Sequence, residues 1–484
     1  MKDGIYWSEQ LAKKKVSFEE LVKDIAQKVE KQKALNAFIT FDEGQAIREF
    51  HSRQTTDSLF SGLPIPLKML GQEKQGWLAN SSSRVLRQRR GKRTDNFVRQ
   101  LEKCGLIPLG QTNAPEFGFK NITDPELYGP TRNPWKLTHS PGGSSGGAAA
   151  AVAAGIFPMA GASDGGGSIR IPAAFCGLIG LKPTRGAIPT GPNNWRGWQG
   201  AAINFAVTIS MRDTERLFYG LREGVEKVAP YQAVREEWHH HKAASNSKLR
   251  IAFTTESPVG SDVASSGQEA VKQAVAFLSE AGHEVTEIKY PLDGRALIDS
   301  YYLMYGGETA AMFAEISEGI GRPVEKEDME LMTWGIYQYG KYIQAAEFIN
   351  GLHLWDQSAY KMEQLFASYD LFLTPTTAHP APEILADLQS DDIRERLHHS
   401  AEFSKEQLDR LIHEMFEKSL VITPYTQLAN LTGHPAISLP TFVTAEGLPM
   451  GIQFMASKGR EDLLLQIGLL FEENHQFILP EVYR

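Results

Sequence analysis

Residues 140–186 read SPGGSSGGAAAAVAAGIFPMAGASDGGGSIRIPAAFCGLIGLKPTRG, two glycine-bracketed serine sites, at Ser144 and Ser168, joined by an alanine-rich stretch. Glycine on both sides of a hydroxyl lets a second backbone or a ligand approach closely, and it lets successive N–H groups turn into one concave site. The flanking residues are small and apolar, unlike the polar mixture of a solvent loop, so both serines are expected against the core. Buried hydroxyls need partners. Two such hydroxyls point to acyl-transfer chemistry.

GGSSGG satisfies the G-x-S-x-G pattern in two frames, Gly142 to Gly146 and Gly143 to Gly147. The nucleophile elbow of an α/β-hydrolase needs an apolar strand running into the first glycine. Here the approach is Trp135-Lys136-Leu137-Thr138-His139-Ser140-Pro141, polar and ending in proline. A phosphate loop needs Lys followed by Ser or Thr after its last glycine, and alanines follow Gly147 instead. Asp164-Gly165-Gly166-Gly167-Ser168 is the better nucleophile site, because three glycine N–H groups directly precede its hydroxyl. Such a run can form an oxyanion hole, whose donors are worth about 2.7–4 kcal/mol each by mutation. Ile169-Arg170-Ile171-Pro172 is expected to open a helix whose N-terminus adds positive field.

A serine nucleophile needs a base, most often histidine. Of 13 histidines, His139 is nearest in sequence to the serine segment and His434 lies in a Gly-His-Pro-Ala turn. Neither setting is distinctive, and both read as loop or surface imidazoles. Lys68 stands out more, as one cation inside the apolar, extended Gly62-Leu63-Pro64-Ile65-Pro66-Leu67-Lys68-Met69-Leu70. Burial can lower a lysine pKa from about 10.4 by roughly 3–5 units, enough to make it a base. From this segment alone, snorkelling to the surface from a half-buried strand remains open.

Taken together, G-L-P-I-P-L-K, G-G-S-S-G-G and D-x-G-G-S-I-R-I-P-A-A-F-C-G-L-I-G-L-K-P-T resemble the amidase signature family. The match is strongest from about Leu63 to Gly186. Weaker echoes continue in Asp370-Leu371-Phe372-Leu373-Thr374-Pro375-Thr376 and from Asn430 to Pro440. The resemblance implies a Ser-cisSer-Lys triad, with Ser168 as nucleophile, Ser144 as bridging serine and Lys68 as base. It further implies an acyl-enzyme and an oxyanion hole built from the N–H groups of Gly165, Gly166, Gly167 and Ser168. Ser145 is expected to support the site by hydrogen bonds, and Asp164 and Arg170 to be structural partners. No metal or cofactor is implied. Two positions depart from the family pattern: Met69 stands where an aspartate usually follows the lysine, and Gly165 where threonine precedes the glycine pair. Around Gly321-Arg322-Pro323 and Thr333-Trp334-Gly335 the chain also resembles enzymes that open cyclic amide dimers of the nylon by-product type.

The 484 residues, 42% of them hydrophobic, show no Pro/Ser linker, low-complexity segment or internal repeat. One elaborated domain over residues 1–484 is therefore expected, with a signature core at about 63–186. The N-terminus lacks the charged start and apolar run of a signal peptide, and the Ala148–Ala162 stretch, interrupted by Gly155 and Pro158, is too short to span a membrane. Cys104 and Cys176, the only two cysteines, sit in apolar settings that favour free buried thiols. These features point to the cytoplasm.

Fifty basic residues against 58 acidic ones argue against general nucleic-acid affinity. The local cluster Arg84, Arg87, Arg89, Arg90, Lys92, Arg93 has no interleaved aromatic residue and reads as a solvated loop. His239-His240-His241 reads as an exposed connector.

Ser17-Phe18-Glu19-Glu20 is a capping box that starts a helix. Residues 37–41 read as a strand, 95–104 as a helix before a strand at 106–110, and 248–253 as a strand before a helix at 267–282. This alternation predicts an α/β fold with a mixed, mostly parallel central sheet covered by helices on both faces. Residues 300–360 are mainly helical and crowded with aromatic rings, some of which are expected to line the substrate pocket.

The expected activity is hydrolysis of a small linear or cyclic amide, with that small molecule as the partner. Oligomeric state is open, a homodimer among the options. Two other readings share the fold: the A subunit of a glutamyl-tRNA amidotransferase, and a non-catalytic binding module suggested by Met69 and Gly165.

Overall fold

The strand that carries Lys68 is the apolar run Pro64–Lys68, buried along its whole length. The structure is a computed structural model that describes residues 1–53, 58–233 and 248–484. Phe38–Thr40 (β1), Pro64–Lys68 (β2) and Ile107–Thr112 (β3) form a three-stranded sheet in the order β1-β3-β2. β2 is an edge strand, which accommodates prolines 64 and 66 because neither can donate to a ladder. Its free edge faces β4 (Met159–Asp164), and the Gln72 side chain stitches the two together. Gln72 Oε1 accepts from the Lys68 N–H at 2.8 Å while its Nε2 donates to the Ala162 carbonyl at 2.9 Å.

β4 begins an eight-stranded sheet with Ile179–Lys182 (β5), Ile203–Thr208 (β6), Arg250–Phe253 (β7), Glu284–Glu287 (β8), Leu371–Pro375 (β9), Ala436–Val443 (β10) and Pro449–Met455 (β11). The order is β4-β6-β5-β10-β11-β9-β7-β8. The sheet is mixed and flanked by helices, as the alternation predicts, but its bias differs from the expectation. Only β9, β7 and β8 pair in parallel; every pair from β4 through β9 is antiparallel. The physical reason lies in two local connections. β4, the helix Arg170–Cys176 and β5 form a crossover whose strands share a direction, yet β6 inserts between them and runs the other way. β10 and β11 form a hairpin turned at Gly447, whose φ of +78° favours glycine.

Helix Arg170–Cys176 packs on β5, β10 and β11, whereas helices Met211–Arg222 and Glu461–Glu473 pack on each other and on β5, β6 and β10. Two large apolar clusters result, one around the sheets and one among the helices between residues 294 and 432.

Local expectations largely hold. Ser17 and Glu20 form the reciprocal capping box of helix Phe18–Lys31. Helices Asn96–Lys103 and Ser265–Glu280 lie where the pattern places them, and residues 300–360 are mainly in three helices, Gly294–Ile320, Leu331–Gly340 and Ala345–Ser368. Both cysteines are free and buried. In the cationic stretch, Arg84 pairs with Glu126 and reaches the carbonyls of Glu327 and Met329, and Arg89 pairs with Glu73; Arg87, Arg90, Lys92 and Arg93 are exposed. His239, His240 and His241 lie outside the described residues. Among the described residues, no helix is long and apolar enough to cross a membrane.

Candidate active site

Lys68 closes β2 fully buried, with its Nζ 2.7 Å from Ser144 Oγ, 2.9 Å from Ser163 Oγ and 3.5 Å from the Ser163 carbonyl. Three oxygens meet the three protons an ammonium can donate. Among the described residues no carboxylate joins them, so burial dominates and lowers the Lys68 pKa to about 7 against the opposing pull of Asp164. The snorkelling alternative is thereby removed. Met69, where the family usually has aspartate, offers its Sδ to Gln111 Nε2 at 3.8 Å.

Ser144 is 2% exposed and follows a cis Gly143–Ser144 peptide bond. The loop can be this tight only because Gly143 lacks a side chain: a Cβ there would sit 2.5 Å from the Ile122 carbonyl oxygen. Thr123 secures it, its Oγ1 donating to the Gly142 carbonyl at 2.9 Å and accepting from the Gly146 N–H at 3.2 Å. Ser145 ties the same loop to β4, accepting from the Ser163 N–H at 3.3 Å and donating to the Ser163 carbonyl at 3.2 Å. The buried helix Gly146–Ala153 then carries the alanine run away.

At the second serine site the carbonyl of each peptide unit has an assigned partner. The Asp164 carbonyl accepts from Asn430 Nδ2 at 3.0 Å, Gly165 from Tyr301 OH at 3.2 Å, Gly166 from Thr426 Oγ1 at 2.6 Å, and Gly167 from the Ile171 N–H at 2.7 Å. In a planar trans peptide the N–H points opposite the carbonyl. The next N–H groups are therefore aimed as well. That of Gly167 donates to Asp164 Oδ1 at 2.7 Å. Gly167 must consequently be struck from the expected oxyanion donors, since a carboxylate already holds its N–H. The N–H groups of Gly165, Gly166 and Ser168 donate to no protein acceptor among the described residues.

Asp164 and Arg170 organise this loop from inside the protein. Neither side chain is exposed, and they meet at two points, Nε to Oδ2 and Nη2 to Oδ1, both 3.0 Å. Arg170 also donates to Gln453 Oε1 and Asn430 Oδ1 at 2.6 Å each. Burial pushes the Asp164 pKa up, but the Arg170 charge and the hydrogen bonds outweigh it and hold the carboxyl at about 2.

His139 and His434 are not surface groups but buried structural ones. His139 Nδ1 lies 2.9 Å from Thr138 Oγ1; His434 sits between Thr432 Oγ1 at 2.8 Å and Glu363 Oε1 at 3.0 Å.

Ser168, Gly166 and Gly143 open onto a cavity of about 290 Å³. Its apolar wall includes Ile298, Tyr301, Tyr302, Tyr305, Phe416 and Leu420. Of the aromatic residues crowding 300–360, three tyrosines thus face the cavity, while Tyr339 and Trp355 are core and Tyr342 is exposed. Two cations also line it, and both are already paired. Lys120 Nζ lies 2.7 Å from Glu330 and 3.1 Å from Asp124, and Arg394 pairs with Asp387 and Asp391. Among the described residues, no group of three or more His, Cys, Asp or Glu is placed to hold a metal ion.

Thr426, Gln72 and Thr123 carry no sequence signal, while Ser163, Tyr301 and Asn430 lie in the serine segment, the aromatic stretch 300–360 and the 430–440 echo without being singled out there.

The family model described as Amidase matches residues 20–465 of the chain. The lipoamidase of Enterococcus faecalis is 40% identical over 471 residues; the match takes in 97% of this chain, which spans only 63% of that protein's length. The 6-aminohexanoate-cyclic-dimer hydrolase of Pseudomonas sp. (strain NK87) is 35% identical over 428 residues, 85% of this chain and 83% of that one. A solved structure of 6-aminohexanoate cyclic dimer hydrolase complexed with substrate superposes with a TM-score of 0.85 at 31% identity, covering 100% of this chain and 98% of that one.

Proposed function

The chain belongs to the amidase family, and on that premise we propose that it hydrolyses a carboxamide through Ser168, Ser144 and Lys68. The observation that carries this reading is the 2.7 Å contact from Lys68 Nζ to Ser144 Oγ, made by a buried lysine whose pKa is lowered to about 7. A neutral amine in that position accepts the Ser144 proton as Ser144 accepts the Ser168 proton. Ser168 Oγ then bonds to the amide carbon, and the carbonyl electrons move onto oxygen. The N–H groups of Gly166 and Ser168, with Gly165 beside them, receive that oxyanion. The relay runs backward to protonate the leaving nitrogen as the C–N bond breaks, leaving an ester on Ser168. Water, deprotonated by the same relay, attacks this ester and releases the acid.

The cavity favours an amide with an uncharged, aliphatic acyl chain, linear or cyclic. Tyrosine, phenylalanine and leucine walls reward apolar surface, and Lys120 and Arg394 are committed to carboxylates and unavailable for an anionic group. The 6-aminohexanoate unit named in one relative has this aliphatic character. The test is a panel of acyl p-nitroanilides and cyclic and linear aminohexanoyl amides, run with wild type and with Lys68→Ala, Ser144→Ala and Ser168→Ala. Loss of turnover by orders of magnitude in all three is expected; wild-type rates in Lys68→Ala would remove it as the base.

A further inference from the structure

We propose that Tyr301 and Thr426 are positioning residues that clamp the two peptide units flanking Gly166 and thereby aim its N–H at the reacting carbonyl oxygen. This inference rests on the hydrolase reading above. Three features carry it. Thr426 precedes the helix Gln427–Thr432 at the N-cap position, yet its side chain does not cap that helix. A threonine there ordinarily gives its oxygen to the first-turn N–H groups; this one instead donates to the Gly166 carbonyl at 2.6 Å. Thr426 is fully buried and lies outside the cavity lining, so its hydroxyl serves the loop rather than a ligand.

Tyr301 has one proton and two oxygen neighbours, the Gly165 carbonyl at 3.2 Å and Tyr305 OH at 3.4 Å. A carbonyl can only accept. The Tyr301 hydroxyl thus donates to the Gly165 carbonyl at the shorter of the two distances and also points its proton toward Tyr305 OH.

The fit on both sides of Gly166 is close. A Cβ on Gly166 would lie 2.1 Å from Tyr301 OH, and one on Gly167 would lie 2.2 Å from Thr426 Oγ1. With Tyr301 holding the peptide before Gly166, and Thr426 and Asp164 holding the peptide after it from opposite ends, the direction of the Gly166 N–H is fixed.

The experiment is the second-order rate of inactivation by an alkyl fluorophosphonate, whose phosphoryl oxygen occupies the same hole, measured from pH 5.5 to 9 with thermal melts of each variant. Thr426→Val and Tyr301→Phe are expected to slow inactivation about tenfold to a hundredfold, with the pH midpoint unmoved because Lys68 is untouched, and Thr426→Ser to recover to within about threefold of wild type. Wild-type rates in both variants, or a Thr426→Ser protein as slow as Thr426→Val, would overturn the inference alone. No adduct on Ser168 in the wild-type protein would overturn the hydrolase reading and this inference with it.

Discussion

Lys68 Nζ and Ser144 Oγ meet at 2.7 Å across 76 residues of sequence, and among the described residues no carboxylate shares the contact. With Asp164 acting only at a distance, this lysine differs from an ordinary buried ion pair. Burial favours its neutral form, and a neutral amine is the form that can take a proton.

Activity should therefore rise with pH through about 7, the value to which burial lowers Lys68. A profile of kcat/KM against pH reports groups of the free enzyme. The expected result is a single rising limb near neutrality; a limb near 10, or none, would mean that Lys68 is not the group whose deprotonation starts the reaction.

The same shift has a consequence for stability. Between about 7 and its ordinary value of 10.5, Lys68 is neutral in the folded protein and protonated in the unfolded chain. Because the unfolded state then binds more protons, stability rises with pH across this window. Below it, the buried charge costs the fold on the order of a few kcal/mol. Lys68→Met should raise stability most at pH 6, with the gap closing toward pH 10, as read from urea unfolding.

Arg170→Met should destabilise by about 3–5 kcal/mol, since it strands a buried carboxylate. In the wild type, Asp164 contributes stability that is present above its ordinary value of 3.8 and is lost as pH falls through about 2. Without Arg170, the Gly167 and Ile169 N–H groups and Asn430 still hold the carboxylate but its charge is unpaired, so the deficit against wild type should be largest near neutral pH and narrow as the carboxyl protonates in acid. Thermal melts from pH 3 to 8 measure both effects.

Leu420→Ala removes a side chain from the cavity wall. The preferred acyl chain should lengthen by about one or two methylenes, each buried CH₂ being worth about 0.8 kcal/mol. Relative kcat/KM across butanoyl to decanoyl p-nitroanilides checks this. An unchanged optimum would place the acyl chain elsewhere.

Much of the architecture is legible in the chain because its signals are local. The capping box at Ser17, the alanine helix after Gly146 and the apolar run of β2 that ends at Lys68 each depend on neighbours within a few residues. What escaped was set by distant partners. No local feature near residue 203 shows that β6 would insert between β5 and β4 and turn those pairings antiparallel. The glycine run was visible, but which of its N–H groups stay available depends on Asn430, Tyr301 and Thr426, contributed from more than a hundred residues away. Gly167 was lost as a donor for a nearer reason, a carboxylate three residues upstream that turns back on its own loop.

The proposed mechanism requires Ser168 Oγ to be the atom that becomes acylated. Labelling the intact protein with a fluorophosphonate and mapping the adduct by peptide mass spectrometry tests it most directly. One adduct is expected, on Ser168, absent in Ser168→Ala and strongly slowed in Lys68→Ala; an adduct on Ser144 or Ser145, or labelling that survives in Ser168→Ala, would overturn this mechanism.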